Sequence, residues 1–415
     1  MLATFPNKAA YSSLDTPQLR DELEILTKRY ENFCRQNLAL NMARGKPAPE
    51  QLDLSNALLD LLPSSTRPLD SNGNDTRNYG DLLGIPEVRE LMAQILDVPA
   101  AEVLVSGSSS LTLMHDTVVR SLLYGVRGYQ PWSSFGTVKF LCPSPGYDRH
   151  FAITESLGIR NIEVPMTPDG PEMSIVEQYV QTDSSVKGIW CVPKYSNPEG
   201  VTYSDEVVRR FASLRPAAGD FRIFWDNAYA VHDLMEPGDT LLSLRTACKE
   251  EDNPDLYYMF ASTSKVTFAS GGIAALATSA DNLEEIAKRL ALQNIGPDKV
   301  NQLRHVTFLR DLDGVREHMR KQAAFIAPRF TVVLDTLERE LGGLDIAQWT
   351  RPRGGYFISF DGLFGTAART VELASAAGVV LTGAGATFPY GVDYRDANIR
   401  LAPTYPSLEE LTIAS

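Results

Sequence analysis

Tyr257-Tyr258-Met259-Phe260-Ala261-Ser262-Thr263-Ser264-Lys265 is an apolar run that ends in a hydroxyl-rich turn and a lysine. A short, unbroken apolar run suits a strand buried on both faces. The pattern recurs on the N-terminal side. Gly188-Ile189-Trp190-Cys191-Val192 leads into Pro193-Lys194-Tyr195-Ser196-Asn197-Pro198-Glu199-Gly200, and Arg222-Ile223-Phe224-Trp225 leads into Asp226-Asn227-Ala228-Tyr229. Residues 138–142 and 273–276 form two further runs of this kind. Helical periodicity marks 86–96, 111–122, 204–214 and 282–292. Short buried strands alternating with helices predict an α/β layer with a mostly parallel sheet. In such sheets ligands sit beyond the carboxyl ends of the strands, so the polar residues that close each run are where chemistry is expected.

Outside this layer the pattern changes. Thr16-Pro17 reads as an N-cap followed by proline at the first helical position. Leu19, Leu23, Leu26, Tyr30 and Phe33 then recur at helical spacing up to Arg35. An irregular stretch, 41–55, contains Arg44-Gly45-Lys46-Pro47. A long helical pattern over 302–341 is expected to break around Pro328. A strand at 354–360, a helix at 366–377 and short strands at 379–382 and 398–402 follow. We expect a large domain at 56–300, and a smaller α+β domain built from 1–55 together with 301–415.

The 415 residues carry a net charge of −13, which argues against nucleic-acid and anionic-membrane partners. Cys34, Cys142, Cys191 and Cys248 lie far apart, as free thiols of a reducing compartment do. His115, His150, His232, His305 and His318 show no metal-ligand spacing, so no metal site is expected. Residues 1–13 lack the apolar core of a secretory signal, and no uncharged apolar run is long enough to span a membrane. The cytoplasm is the expected location.

In this order, the three strand ends resemble the active site of fold-type-I aminotransferases of the aspartate aminotransferase class. The likeness runs from the N-terminal helix to Asn398-Ile399-Arg400-Leu401-Ala402. Three segments are similar to the divergent bacterial subgroup Ic: Arg44-Gly45-Lys46-Pro47, Asn78-Tyr79-Gly80-Asp81-Leu82-Leu83-Gly84 and Pro145-Gly146-Tyr147-Asp148-Arg149-His150-Phe151. The resemblance implies a large domain with a mostly parallel seven-stranded sheet flanked by helices. It also implies pyridoxal 5'-phosphate (PLP) as cofactor, held as a Schiff base on Lys265.

The implied roles follow residue by residue. Lys265 needs a partly desolvated amine to carry the cofactor and move a proton. Asp226 pairs with the pyridinium nitrogen, and Tyr229 and Asn197 bond the phenolate oxygen. Ser108, Ser109 and Ser110 precede a helix and make an anion cradle for the phosphate, with Ser262 and Ser264 adding hydroxyls. Tyr147 stacks on the ring, and Tyr79 reaches the phosphate of a neighbouring subunit, so a homodimer is implied. Arg400 and Gly45, with Asn197, bind the substrate α-carboxylate. Arg44, Lys46, Arg149, Arg304 and Arg353 are the cations open to a distal carboxylate. Taken singly, each has a plainer reading: a surface lysine, a loop-start aspartate, a packed aromatic, an Asn-Pro turn, a serine N-cap. The joint order of the motifs favours the site.

Two departures stand beside the likeness. Val266-Thr267-Phe268-Ala269-Ser270-Gly271-Gly272-Ile273 lacks the arginine that better-known members place after the lysine to pair with the phosphate. The final helix, from Leu408, is shorter than in such proteins and must be docked to be stable. The resemblance implies transfer of an amino group from L-aspartate to 2-oxoglutarate by a ping-pong route. The alternatives are another fold-type-I PLP enzyme (a different aminotransferase, a β-lyase or a decarboxylase) or a non-enzymatic effector-binding regulator.

Overall fold

The computed structural model describes residues 10–414. Residues 1–9 of the N-terminal stretch read above, and Ser415, lie outside the described residues. The strands are β1 (Leu40–Asn41), β2 (Val103–Val105), β3 (Lys139–Ser144), β4 (Arg160–Thr167), β5 (Gly170–Pro171), β6 (Val186–Cys191), β7 (Arg222–Asp226), β8 (Tyr257–Ser262), β9 (Ala274–Ala277), β10 (Ala347–Trp349), β11 (Ile358–Gly362), β12 (Val379–Val380) and β13 (Asn398–Leu401). The large sheet has the order β2-β9-β8-β7-β6-β3-β4-β5. Pairings from β8 through β7, β6 and β3 to β4 are parallel, while β2, β9 and β5 join antiparallel. The sheet therefore has one strand more than the seven expected. The extra one is β5, a two-residue hairpin return on β4 too short to leave a periodic signal.

Strands β6 and β7 are buried along their whole length, and β8 up to its last residue. Ile189, Cys191, Ile223, Trp225 and Met259 enter one core, whereas Trp190, Phe224, Tyr258 and Phe260 enter the core on the opposite face. Two-sided burial is why these runs show no polar alternation. Each large side chain so buried contributes about 1.5–3 kcal/mol of transfer free energy. At Gly188 an added Cβ would lie 2.4 Å from the ring of Phe140, its partner across β3, so only glycine fits there.

The helix Pro86–Leu96 has the expected bounds, and Ser110–Tyr124, Asp205–Ala212 and Ala280–Gln293 fall close to theirs. The cap of the helix Thr16–Cys34 is Asp15, not Thr16. Its carboxylate accepts from the Gln18 amide while the Gln18 side chain accepts from the Asp15 amide, a reciprocal capping box. The apolar stripe of this helix is largely uncovered, with Leu23 65% exposed.

The long C-terminal pattern breaks at Arg310–Asp311 rather than at Pro328. One helix, Lys299–Leu309, ends at Arg310 with φ at +67°, and a second, Leu312–Leu341, starts where Asp311 accepts from the Gly314 amide. Cap chemistry thus sets the break. Pro328 stays inside the second helix, where the Arg329 guanidinium donates to the Phe325 and Pro406 carbonyls. That helix joins two cores. Val315 and Met319 belong to the core of the large sheet; Ile326, Phe330 and Val333 join Leu40, Met42, Ile358, Ile399 and Leu411. The second core lies under the antiparallel sheet β10-β11-β13 and the parallel pair β1-β12. The final helix, Leu408–Ala414, docks through Leu411, which is wholly buried. Among the described residues no helix is long and apolar enough to cross a membrane.

Candidate active site

Along the large sheet the chain runs outward through β3 and β4, then returns to β6 and continues the other way through β7 and β8. That reversal opens a crevice beyond the carboxyl ends of β3 and β6. A cavity of about 530 Å³ occupies it. Lys265, Asp226, Tyr229, Asn197 and Tyr147 line this cavity, although they come from four different strand ends. Ser109, Ser110, Ser262 and Ser264 line one side, and Gly45 and Arg400 another.

On the floor, Asp226 closes β7 and is almost fully buried. Its Oδ2 meets His150 Nε2 at 3.0 Å, and its Oδ1 is buried without any partner. An orphaned buried carboxylate oxygen is costly, so this atom is poised for a donor that enters the cavity. The His150 ring stacks on Trp190 with centroids 4.7 Å apart, and Tyr147 meets it edge-on. Lys265 Nζ lies 5.0 Å from the centre of the Tyr229 ring. Burial lowers the pKa of this amine, with the Asp226 charge opposing the shift, which favours the neutral, nucleophilic form. Burial, with the Asp226 charge, pushes the Tyr147 hydroxyl up to about 12. Burial also raises Tyr229 well above its ordinary value.

At the serine side, Ser109 caps the helix Ser110–Tyr124 without spending its side chain on the helix amides. The free N–H groups and hydroxyls there suit an anion. Ser264 Oγ donates to the Ser108 carbonyl at 2.9 Å, and Ser262 Oγ donates to Ser264 Oγ. Ser108 itself does not line the cavity; it ties the lysine-bearing turn to the cradle.

At the roof, Arg400 of β13 donates from Nη1 to Asp148 Oδ1 at 2.9 Å and to Asn197 Oδ1 at 3.2 Å, with its guanidinium over the Phe357 ring. A Cβ on Gly45 would lie 2.4 Å from that ring, so glycine lets the 44–46 loop close on the roof. Arg44, Lys46 and Arg149 line the cavity, but Arg304 and Arg353 do not. Arg353 is held by Asp239 and the Pro237 carbonyl. Tyr79 also lies away from this cavity. It is 78% exposed, and its carbonyl accepts from the buried Lys299.

The sequence reading assigned no role to His150, Asp148 or Phe357. The His150–Asp226 contact spans 76 residues, and no local pattern encodes it. The available signal was a histidine and an aspartate in the first turn of the helix Asp148–Ser156, directly after a strand end.

The donor set fits PLP. An anion cradle faces the serine side, an aromatic ring stands ready to stack, and an unpartnered carboxylate oxygen awaits a ring N–H. Fold and donors together define a PLP-dependent aminotransferase of fold type I. Residues 14–415 match the family model described as aspartate amino-transferase, and the chain belongs to that family. An aspartate aminotransferase of Corynebacterium glutamicum is 44% identical over 392 residues, which cover 94% of this chain and 90% of that protein. The crystal structure of an aspartate transaminase from Corynebacterium glutamicum matches with a TM-score of 0.95 at 43% identity, covering 98% of this chain and 96% of that one. An α-aminoadipate aminotransferase of Thermus thermophilus, complexed with N-(5'-phosphopyridoxyl)-L-leucine, shares the fold at a TM-score of 0.71 and 20% identity, over 92% of this chain and 91% of its own.

Proposed function

We propose that this enzyme moves an amino group from L-aspartate to 2-oxoglutarate by a ping-pong cycle, with Lys265 as the residue that carries PLP. The observation that carries the reading is the placement of the Lys265 amine, the Asp226 carboxylate and the Arg400 guanidinium around one cavity. When bound, PLP supplies an electrophilic carbon that takes up an amine and a ring that accepts the electrons released at the substrate Cα. The chain does the rest. Asp226, fixed by His150, presents a carboxylate to the ring nitrogen. Tyr229 and Asn197 bond the phenolate oxygen, Tyr147 covers the ring, and Ser109, Ser110, Ser262 and Ser264 hold the phosphate, with Ser108 anchoring the turn. Arg400 and Asn197, with the Gly45 backbone, grip the α-carboxylate and align the Cα proton for removal by Lys265.

The same proposal makes the enzyme a cytoplasmic homodimer of two domains, 56–300 and 1–55 with 301–415. Tyr79 of a second copy then completes the phosphate shell. The exposed Tyr79 and the uncovered stripe of Leu19, Leu23 and Leu26 support an assembly, and the four free cysteines support a reducing compartment.

An absorbance scan of the PLP-loaded protein before and after L-aspartate tests the cofactor and the donor together. The cofactor band is expected to shift on adding L-aspartate, and 2-oxoglutarate is expected to restore it with release of glutamate. Oxaloacetate is the expected co-product. Alanine and carbon dioxide in its place would assign a decarboxylase and overturn the reading.

A further inference from the structure

We infer that Asp148 is a built-in rival of the substrate: its carboxylate holds Arg400 in the free enzyme and is displaced when an amino acid or 2-oxo acid binds. This rests on the reading of Arg400 as the α-carboxylate anchor. Arg400 Nε is buried without a partner, and Nη1 carries both bonds of the guanidinium, to Asp148 and to Asn197. Nη1 is the nitrogen that Asp148 Oδ1 holds at 2.9 Å. A substrate carboxylate gripping the far end of the fork, through Nη1 and Nη2, needs that position. Two carboxylates crowded on one nitrogen repel, so one of them leaves.

The aspartate is the partner that moves. The Arg400 side chain is 8% exposed and fixed in β13, whereas the Asp148 side chain is 33% exposed. Asp148 also has other places to go. It is the first residue of the helix Asp148–Ser156, whose cap residue Tyr147 gives the helix amides no side-chain bond. Free amides and the positive end of the helix dipole accept a carboxylate. Arg149 Nε lies 4.0 Å from Asp148 Oδ2 and offers a second partner. The site therefore has two arrangements. In one, Asp148 neutralises the buried guanidinium; in the other, substrate does so and Asp148 turns to its own helix. Apparent affinity is lowered by the fraction of enzyme in which Arg400 is already taken. In return, the guanidinium is never left buried and unpaired when the cavity is empty of substrate.

Calorimetric titration of the PLP-loaded enzyme with succinate, an unreactive dicarboxylate, tests this. Asp148→Asn is expected to bind succinate about 3- to 30-fold more tightly than wild type. KM for L-aspartate is expected to fall with it, by a larger factor than kcat changes. Asp148→Ser guards against a local folding defect and is expected to shift the same way. Succinate binding that is unchanged or weaker in both variants overturns the inference, because Asp148 then positions Arg400 rather than competing for it. A wild type that shows no cofactor shift with L-aspartate, while Asp148→Asn still binds succinate more tightly, sinks the aminotransferase reading alone.

Discussion

At the cavity floor, Asp226 meets His150 with both side chains 3% exposed or less; at the roof, Arg400 meets Asp148 across a pair that is 8% and 33% exposed. Both pairs bring a carboxylate oxygen within 3.0 Å of a side-chain nitrogen, yet they differ in what surrounds them. The floor pair belongs to the large sheet: β7 supplies the carboxylate, and the ring that holds it stacks on Trp190 of β6. The roof pair joins β13 of the small sheet to a helix that starts beyond β3 of the large one. A sealed pair cannot lose a member without stranding a buried charge. A pair open on one side can exchange partners. The floor is thus built to hold one arrangement and the roof to pass between two.

Removing the floor's amine is the severest way to break that comparison. Lys265→Ala is expected to lower transamination by at least about 10²–10⁴-fold, the range that a positioned proton-transfer group contributes. The cofactor absorbance is also expected to stop responding to L-aspartate. Full turnover in this variant would remove Lys265 from the reaction.

Arg400→Lys tests the roof. An ammonium keeps the charge but loses the fork, and a charge-assisted hydrogen bond lost there is expected to raise KM for both substrates about 10- to 100-fold. Steady-state kinetics with each substrate varied would show it. A change confined to one substrate would contradict a shared α-carboxylate site.

His150→Phe returns to the floor with a smaller effect. Phenylalanine keeps the stacking surface on Trp190 but leaves Asp226 Oδ2 without its partner. Affinity for PLP is expected to fall about tenfold, as for one hydrogen bond to a buried charged group, while KM for L-aspartate changes little. Equilibrium dialysis of the cofactor against the kinetic KM separates the two. A change mainly in KM would place His150 with the roof.

This contrast also governs what could be read from sequence. The floor announces itself because two-sided burial forces unbroken apolar runs in β6, β7 and β8, and the polar residues that end them stand out. Lys265, Asp226, Tyr229 and Asn197 were therefore legible. Strand β4 was missed because its burial keeps no period of two, with Asn161 and Val164 buried three residues apart among exposed Arg160, Glu163 and Pro165, and because it carries a proline. Strand β2 was missed because three residues are too few to show a period. The break at Arg310–Asp311 went to Pro328 instead, since proline is a louder signal than a capping aspartate. At the roof, Arg400 was legible as a charge in an apolar strand, but the bonds that hold it in the free enzyme were not. Asp148 and Asn197 lie 252 and 203 residues away, and only the folded chain brings them near.

His232 sits where the two regions meet. Its carbonyl accepts from the Gly355 amide, and its ring packs edge-on against Tyr229 of the floor and Tyr356 of the roof segment. Both ring nitrogens are buried without partners. Burial, with the Lys265 charge nearby, lowers its pKa to about 3. Above its unfolded value of about 6.5 the ring is neutral in both states and pH has no hold on it. Below that value the unfolded chain binds a proton that the native fold refuses. Stability is then lost at about 1.4 kcal/mol per pH unit until pH approaches the folded value. His232→Leu removes at most a weak polar contact of the ring with the Lys265 backbone, so stability at pH 7.5 is expected to change by less than about 1 kcal/mol. At pH 5 the variant is expected to retain about 2 kcal/mol that wild type loses. Urea unfolding at the two pH values measures both. Equal acid-side losses in the two proteins would mean that the native fold accepts a proton on this ring, and that the junction between floor and roof is wetter than its packing implies.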